Sequence, residues 1–169
     1  SDVYKRQDII AGDYDNGKLT WFENDGAANP SFSSTHILND VDYISKVILG
    51  DIDNDGDLDI AYSREADSNN VGWLENDGNS DPSFVSHILS SDEDIAHGID
   101  IADFDGDGDL DIASGQNLGG SRVTLFINDG SADPTFSTYL VSTTESAIDV
   151  KFADIDNDGD IDLVSADIN

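Results

Sequence analysis

The sequence repeats itself about every 52 residues, and this period limits the chain to folds that are built from stacked units. The segment DIDNDGDLDIA, which begins at Asp51, recurs as DFDGDGDLDIA from Asp103 and as DIDNDGDIDLV from Asp154. Two further markers keep the same phase. They are a segment that ends in Asn-Asp-Gly, which begins at Trp21, Trp73 and Leu125, and a Pro-Ser/Thr-Phe triplet, which begins at Pro30, Pro82 and Pro134.

Each unit contains four short apolar segments that are separated by turn residues. In the second unit these segments are Ser45–Gly50, Leu58–Tyr62, Asn70–Glu75 and Ser83–Leu89. The spacing of apolar residues that indicates a helix is nowhere sustained. Four strands in about 50 residues are typical of one blade of a β-propeller.

We therefore predict an all-β chain, a β-propeller fragment of about three four-stranded antiparallel blades. The approximate units are residues 8–43, 44–95 and 96–146, followed by a partial unit at 147–169. The aligned Trp21, Trp73 and Leu125 are predicted to pack between blades. Residues 1–7, SDVYKRQ, have no counterpart in the repeat, and we interpret them as a cloning or sequencing remnant outside the fold.

The charge of the chain excludes several classes of partner. It has 37 acidic and 7 basic residues and a formal net charge of −30. Such a surface repels the phosphates of nucleic acids and anionic lipids, so neither is expected as a direct partner. No apolar run approaches the roughly 18 residues that membrane insertion needs. The chain also has no cysteine, which excludes disulfides and thiolate metal ligands.

The acidic segments have the spacing of oxygen ligands around one hard cation. Carboxylates stand at loop positions 1, 3, 5 and 9, glycine at position 6 allows a sharp turn, and position 7 supplies a backbone carbonyl. Charge-rich sites made only of oxygen favour calcium. We therefore predict one Ca²⁺ per loop, three in all. The predicted ligands are Asp51, Asp53, Asp55, Asp57 and Asp59; Asp103, Asp105, Asp107, Asp109 and Asp111; and Asp154, Asp156, Asp158, Asp160 and Asp162.

Two other calcium motifs do not fit these loops. An EF-hand needs a bidentate glutamate at position 12 and flanking helices. Position 12 here is Tyr62, Ser114 or Ser165, and apolar strand segments flank the loops. Consecutive glycine-rich calcium nonapeptides do not fit either, because these loops are separated by whole units.

The loop motif, followed by a strand and repeated once per unit, resembles the FG-GAP/VCBS repeats of integrin-α-like propellers. The Trp-Phe/Leu-Glu-Asn-Asp-Gly segment followed by a His-Ile-Leu strand is similar to the variety found in large secreted bacterial proteins. The resemblance covers residues 8–169. It implies a propeller of seven or eight blades, secreted or on the cell surface, with calcium in the loop-bearing blades. Asp8 is the only loop residue left in the first unit, so no site is predicted there.

The histidines give little indication of catalysis. His36 and His87 occupy nearly equivalent places in successive units, which indicates a repeat position and not a unique site. His97 differs, since its counterparts are Ser45 and Ile148. On the innermost strand it would line the central channel, where it could touch a ligand or act as a pH-sensitive neighbour of the Asp103 loop. No isolated pair of carboxylates stands out for glycoside hydrolysis.

Three functions remain open. The first is a non-catalytic, calcium-stabilised extracellular module that binds an extracellular protein or glycan ligand, or serves in adhesion, within a larger secreted protein that supplies the remaining blades. The alternative is part of a propeller-bearing carbohydrate-active enzyme, of the polysaccharide lyase or sugar dehydratase type that resembles this repeat. A calcium buffer or sensor is the third, and it is disfavoured because the loops lie between strands with no element that could switch.

Overall fold

The computed structural model describes residues 7–14, 17–32, 34–40, 43–65, 70–90, 95–118, 121–144 and 146–167. Within these ranges the regular structure is β-strand, in four antiparallel sheets that follow one another along the chain. All but the last residue of the predicted remnant at 1–7 lies outside the described residues. The predicted all-β propeller fragment is confirmed.

The strand bounds are as follows. The first sheet contains β1 (Ile9–Asp13), β2 (Lys18–Glu23) and β3 (Ser34–Asp40), and the second contains β4 (Ile44–Gly50), β5 (Asp59–Arg64), β6 (Val71–Asn76) and β7 (Phe84–Ser90). The third contains β8 (Ile95–Ala102), β9 (Asp111–Leu118), β10 (Arg122–Asn128) and β11 (Phe136–Ser142), and the fourth contains β12 (Ala147–Ala153) and β13 (Asp162–Asp167).

In each sheet, every strand pairs with its neighbour in the sequence, as in a propeller blade. The acidic segments form the hairpin loops between β4 and β5, between β8 and β9, and between β12 and β13. The Asn-Asp-Gly segments lie at the C-terminal ends of β2, β6 and β10, and their glycines have positive φ, as at Gly78 with +67°. An L side chain rarely adopts this conformation, which explains why glycine ends each of these segments.

The strands β4, β8 and β12 lie side by side at the centre of the fragment. At Gly98 in β8, an added Cβ atom would come within 2.6 Å of the Cα atom of Asp149 in β12. Glycine therefore allows β8 and β12 to approach closely here. The Lys46 ammonium in β4 also meets the Asp149 carboxylate at 2.5 Å, although the two residues belong to the second and fourth sheets. The innermost strands are thus tied together across an intervening sheet.

Apolar side chains fill the spaces between sheets. Trp73, which is 1% exposed, packs in one cluster with Ile52, Ile99 and Phe126, which join the second sheet to the third. Leu125 packs against Ala147 and Val150 of the fourth sheet in the same way. The predicted packing between blades is confirmed for these two members of the repeat position. Trp21 is half-buried and lines a cleft of about 350 Å³ between the first and second sheets.

Candidate metal centres

Each acidic hairpin loop brings three carboxylates together. In every loop these are the aspartates at positions 1, 3 and 9, and one oxygen from each lies within 4.8 Å of the other two. The three groups are Asp51, Asp53 and Asp59; Asp103, Asp105 and Asp111; and Asp154, Asp156 and Asp162. Three anionic oxygens this close repel one another unless a cation lies between them.

The aspartate at position 9 also has a structural role that the spacing did not indicate. The side chain of Asp59 is fully buried. Its Oδ2 accepts a hydrogen bond from the backbone N of Ile52 at 2.8 Å, and its Oδ1 accepts one from the backbone N of Asn76 at 2.9 Å. One carboxylate therefore ties the start of the loop to the end of the third strand of the same sheet.

The other units repeat this connection. Asp111 accepts hydrogen bonds from the backbone N of Phe104 at 2.8 Å and of Asn128 at 2.9 Å. Asp162 accepts one from Ile155 N at 3.0 Å. Asp8, for which no metal site was predicted, accepts one from Asn24 N at 2.8 Å. The role of position 9 in tying the loop to the blade is therefore present even where the rest of the acidic loop is missing.

Burial and mutual repulsion make these carboxylates difficult to ionise in the absence of a cation. The pKa of Asp59 is raised to about 6, mainly by burial and in smaller part by the charges of Asp53 and Asp55, while the hydrogen bonds from Asn76 and Ile52 act in the opposite direction. Burial also raises the pKa of Asp53 and of Asp111. A dication at the centre of a loop would reverse this effect, because opposite charge favours the ionised form.

The aspartates at position 1 supply a second indication of a cation. Asp51 Oδ2 accepts a hydrogen bond from Gly56 N at 3.1 Å, but its Oδ1 is buried and has no hydrogen-bond partner. Asp103 repeats this arrangement, with Gly108 N on Oδ2 and a buried, unpartnered Oδ1. A buried anionic oxygen without a partner is costly, and a metal ion would satisfy it. The residues present therefore fit a hard dication.

The remaining predicted ligands are placed differently. At position 5, Asp55, Asp107 and Asp158 each accept a hydrogen bond from the backbone N two residues later, and they do not belong to the three-carboxylate groups. Their role as ligands stays a prediction, as does that of the backbone carbonyls of Asp57, Asp109 and Asp160.

At position 7 the side chains of Asp57 and Asp109 contact the Asn-Asp-Gly segment. A Cβ atom added at Gly78 or at Gly130 would collide with the carboxylate of Asp57 or of Asp109, respectively. Asp109 Oδ1 also accepts a hydrogen bond of 2.6 Å from Asn54 Nδ2 in the loop of the preceding unit. Neighbouring acidic loops are therefore connected directly through a residue that was predicted to contribute only its carbonyl.

The other two repeat markers are joined by a hydrogen-bond network that sequence reasoning missed. Asp77 accepts hydrogen bonds from Ser83 N at 3.1 Å and from Ser83 Oγ at 2.5 Å, and Asp129 does the same with Thr135. These hydrogen bonds, above all those from the two hydroxyls, hold the pKa of both aspartates well below the usual range. The constant spacing between the Asn-Asp-Gly segment and the Pro-Ser/Thr-Phe triplet could have indicated this network. It keeps the accepting aspartate and the donating serine or threonine at the same separation in each unit.

Two histidines can be placed. The ring of His87 stacks on Trp73 with centroids 4.4 Å apart, and its Nε2 lies 2.7 Å from Glu75 Oε2. The prediction that this repeat position is structural agrees with these contacts, while the side chain of His36 lies outside the described residues. His97 lies near the start of β8, at the opposite end of the strand from the Asp103 loop. The interpretation of His97 as a neighbour of the Asp103 loop is therefore wrong.

The fold and the three acidic hairpin loops define a protein of the β-propeller type, built from repeats that each carry a candidate cation site. A family model described as FG-GAP-like repeat matches residues 5–62, 63–114 and 111–165. The chain therefore belongs to the FG-GAP-like repeat family, as the sequence indicates. No curated protein matches the chain. Among the described residues, no helix has the length and apolar character that crossing a membrane requires.

Proposed function

We propose that this chain is a calcium-stabilised propeller segment of a larger extracellular protein, in which it serves adhesion or the recognition of a protein or glycan. The observation that carries the calcium assignment is the set of three carboxylates within 4.8 Å in each acidic loop. The buried, unpartnered oxygens of Asp51 and Asp103 support it. Oxygen ligands that are all carboxylates or carbonyls suit Ca²⁺ better than Mg²⁺, which keeps several waters.

Calcium in these loops would have a structural role. The aspartates at positions 1, 3 and 9 of each loop would hold the ion, which supplies positive charge where three carboxylates converge. Asp59 and Asp111 already tie the loop to the third strand of the sheet, so an ion bound to them would stiffen the whole corner of the blade. Three dications would neutralise six of the thirty excess negative charges.

Further blades are the first class of partner that we propose. Ile52, at position 2 of the first acidic loop, is fully buried between the second and third sheets. Its counterpart Ile155, in the last acidic loop, is 59% exposed. An apolar side chain that is buried at one blade interface and exposed in the next supports packing against another blade of the same protein.

Calcium binding in these loops would suit an extracellular location. Calcium modules outside the cell bind with Kd values of roughly 10⁻⁴ to 10⁻³ M, and such sites are filled only where free calcium is at that level. The strongly negative surface directs the recognition function towards neutral or cationic ligands and away from anionic ones.

Two measurements test the proposal. Thermal unfolding of the 169-residue chain in EDTA and in about 10 mM calcium tests the structural role, and we expect a higher melting temperature with calcium. Identical melting curves would refute it. Binding to glycan and extracellular-protein arrays in the presence of calcium tests the recognition role, and a chain that binds nothing on either array would argue against it.

A further inference from the structure

Four side chains from three consecutive sheets meet at the end of the inner strands that is opposite the acidic loops. Tyr14 follows β1, Tyr43 precedes β4, Glu65 follows β5, and His97 lies near the start of β8. The acidic loops follow the other ends of β4 and β8, so about 20 Å of strand separates the two regions. We call these four residues the rim cluster.

The carboxylate of Glu65 connects the three sheets. Tyr14 Oη donates a hydrogen bond of 2.8 Å to Glu65 Oε2. His97 Nδ1 lies 2.9 Å from Glu65 Oε1, and the side chains of this pair are 21% and 23% exposed. Charge-assisted hydrogen bonds to a half-buried carboxylate fix its orientation. Glu65 is therefore held in one position at the junction of three blades.

An irregularity of β8 aims His97 at Glu65. Ala96 pairs with Gln116 and Gly98 pairs with Gly115, so His97 is an extra residue without a partner strand position. The inner strands of the second and fourth sheets, β4 and β12, have the same irregularity at Ser45 and Ile148. Such bulges redirect a side chain, and they occur often beside functional sites. The bulge belongs to the repeat, whereas among the three bulges that the structure describes a histidine occupies the one in β8 alone.

Tyr43 has a strained backbone that the structure maintains. Its φ is +60°, which is unusual for a bulky residue. The backbone N of Glu65 donates a hydrogen bond of 2.9 Å to the carbonyl O of Tyr43 and so holds the residue in this conformation. Strain of this kind clusters at active sites and ligand-binding sites. It places the Tyr43 ring edge-to-face with the Tyr14 ring, with centroids 5.6 Å apart.

The rim cluster combines aromatic surface with negative charge. Tyr14 and Tyr43 are 45% and 46% exposed, although their rings contact one another. The face of an aromatic ring attracts a cation through its quadrupole, and a carboxylate beside it adds charge. The net charge of −30 concentrates cations around the whole molecule and repels anions. Each of these properties favours a positively charged ligand.

Behind Glu65, polar atoms remain unsatisfied. His97 Nε2 is buried and has no hydrogen-bond partner. When Nδ1 donates to Glu65, Nε2 of a neutral imidazole is an acceptor that needs a donor. Gln116 Oε1, on the strand paired with β8, is a second buried acceptor without a partner. A bridging water would supply the donor that each of these buried acceptors lacks.

We propose that the rim cluster recognises an ammonium group, either the side-chain amine of a lysine on a protein or the amine of an amino sugar on a glycan. The proposal rests on the recognition function proposed above and assigns it a site and a ligand chemistry. The Tyr14 and Tyr43 rings contact the cation, the Glu65 carboxylate balances its charge, and His97 orients that carboxylate.

Isothermal titration calorimetry of the 169-residue chain in calcium tests the site. The two ammonium sources are Nα-acetyl-lysine methylamide, whose side-chain amine is free, and glucosamine. N-acetylglucosamine is the neutral probe, and glucuronate is the anionic probe. We expect binding of at least one ammonium source and none of the neutral or anionic sugar. Binding of lysine alone assigns a protein partner, and binding of glucosamine alone assigns a glycan. Equal binding of N-acetylglucosamine, or no binding of either ammonium source, would overturn the proposal.

Two variants locate the binding. Glu65→Gln removes the charge, and Tyr43→Asn removes a ring while relieving the positive φ, which asparagine tolerates well. We expect each to weaken ammonium binding about 5- to 30-fold. Tyr43→Asn should melt no lower than the parent, so its loss of binding cannot be ascribed to unfolding. The matched controls are Glu75→Gln, from the second glutamate–histidine pair, and Tyr139→Ala, an exposed tyrosine on β11.

The outcome separates this inference from the proposed function. Unchanged ammonium binding in Glu65→Gln and Tyr43→Asn would refute the rim cluster as the site. If arrays identify a ligand whose binding is unaffected by both variants, the recognition function stands and this site is wrong. If the variants lose the array ligand as well as the ammonium probe, both proposals are supported.

Discussion

Two aspartates of one acidic loop, Asp103 and Asp111, should differ in their response to alanine when calcium is removed. Both belong to the same group of three carboxylates. Asp103 receives one hydrogen bond, from Gly108 N at 3.1 Å, and its other oxygen has no partner. Asp111 is fully buried and receives backbone hydrogen bonds from Phe104 and Asn128. Asp103 is therefore expected to act mainly as a ligand of the ion, whereas Asp111 is expected both to bind the ion and to stabilise the fold.

The magnitudes follow from these contacts. At free calcium about tenfold above Kd, one site contributes about 1.4 kcal/mol to the free energy of unfolding. For a domain of this size that corresponds to a shift of about 3–6 °C in melting temperature per site. Asp111→Ala also leaves the buried N–H group of Asn128 and the partly buried one of Phe104 without an acceptor. An unsatisfied buried N–H costs about 1–3 kcal/mol, and this loss does not depend on calcium.

Differential scanning calorimetry in EDTA and in about 10 mM calcium measures both quantities. We expect Asp103→Ala to melt like the parent in EDTA and to lose about one third of the calcium-dependent shift, because one of three sites is lost. Asp111→Ala should lose the same part of the calcium response and also melt well below the parent in EDTA. Equal melting temperatures of the two variants in EDTA would refute the structural role of position 9. An unchanged calcium response in Asp103→Ala would refute its role as a ligand.

Three further perturbations follow from the fold. Asp77→Asn should reduce the loss of stability on acidification below pH 4, because the lowered pKa of Asp77 stabilises the fold above the unfolded pKa of 3.8 and this stability is lost as the pH falls towards the folded pKa. Urea unfolding at pH 2–5 measures the effect, and a pH profile like that of the parent would contradict it. Gly98→Ala should destabilise the chain by about 1–3 kcal/mol, because the new methyl group collides with the backbone of Asp149. Equilibrium unfolding in urea measures this change, and a decrease in the free energy of unfolding below the error of the fit would show that the inner strands can move apart. Trp73→Ala should lower the free energy of unfolding by about 3–5 kcal/mol, because it leaves a cavity in the apolar cluster between the second and third sheets. In the same urea experiment, a decrease below about 1 kcal/mol would indicate that the sheets do not depend on this contact.

The four-strand unit could be predicted from the sequence because its signals are local. Alternating apolar segments of five to seven residues, with Asn-Asp-Gly and acidic loops between them, specify strands and turns without reference to the rest of the chain. The predicted segment Asn70–Glu75, for example, corresponds to β6 at Val71–Asn76. Repetition adds the remaining information, since a sheet that recurs three times must pack against its own copies.

The candidate metal centres could be predicted only in part. The spacing of the aspartates predicted that positions 1, 3 and 9 lie close together, because one hairpin loop contains all three. It did not indicate that Asp59 and Asp111 bind the end of the third strand, since that contact joins residues 17 positions apart in the sequence. It also did not indicate that Asp109 meets Asn54 of the preceding loop, which depends on how two blades are packed.

By itself, the sequence determined the period, the strand character of each unit and the acidic loops, because short-range spacing and backbone preference specify all three. The tertiary structure alone decided what converges between blades. Gly98 in the third sheet allows the backbone of Asp149 to come close, Lys46 of the second sheet pairs with Asp149 of the fourth, and His97 and Tyr14 both contact Glu65. These residues come from different units, and their distances depend on the angle and separation of packed sheets. No local pattern in one unit encodes that geometry, so the acidic loops were visible in the sequence and the rim cluster was not.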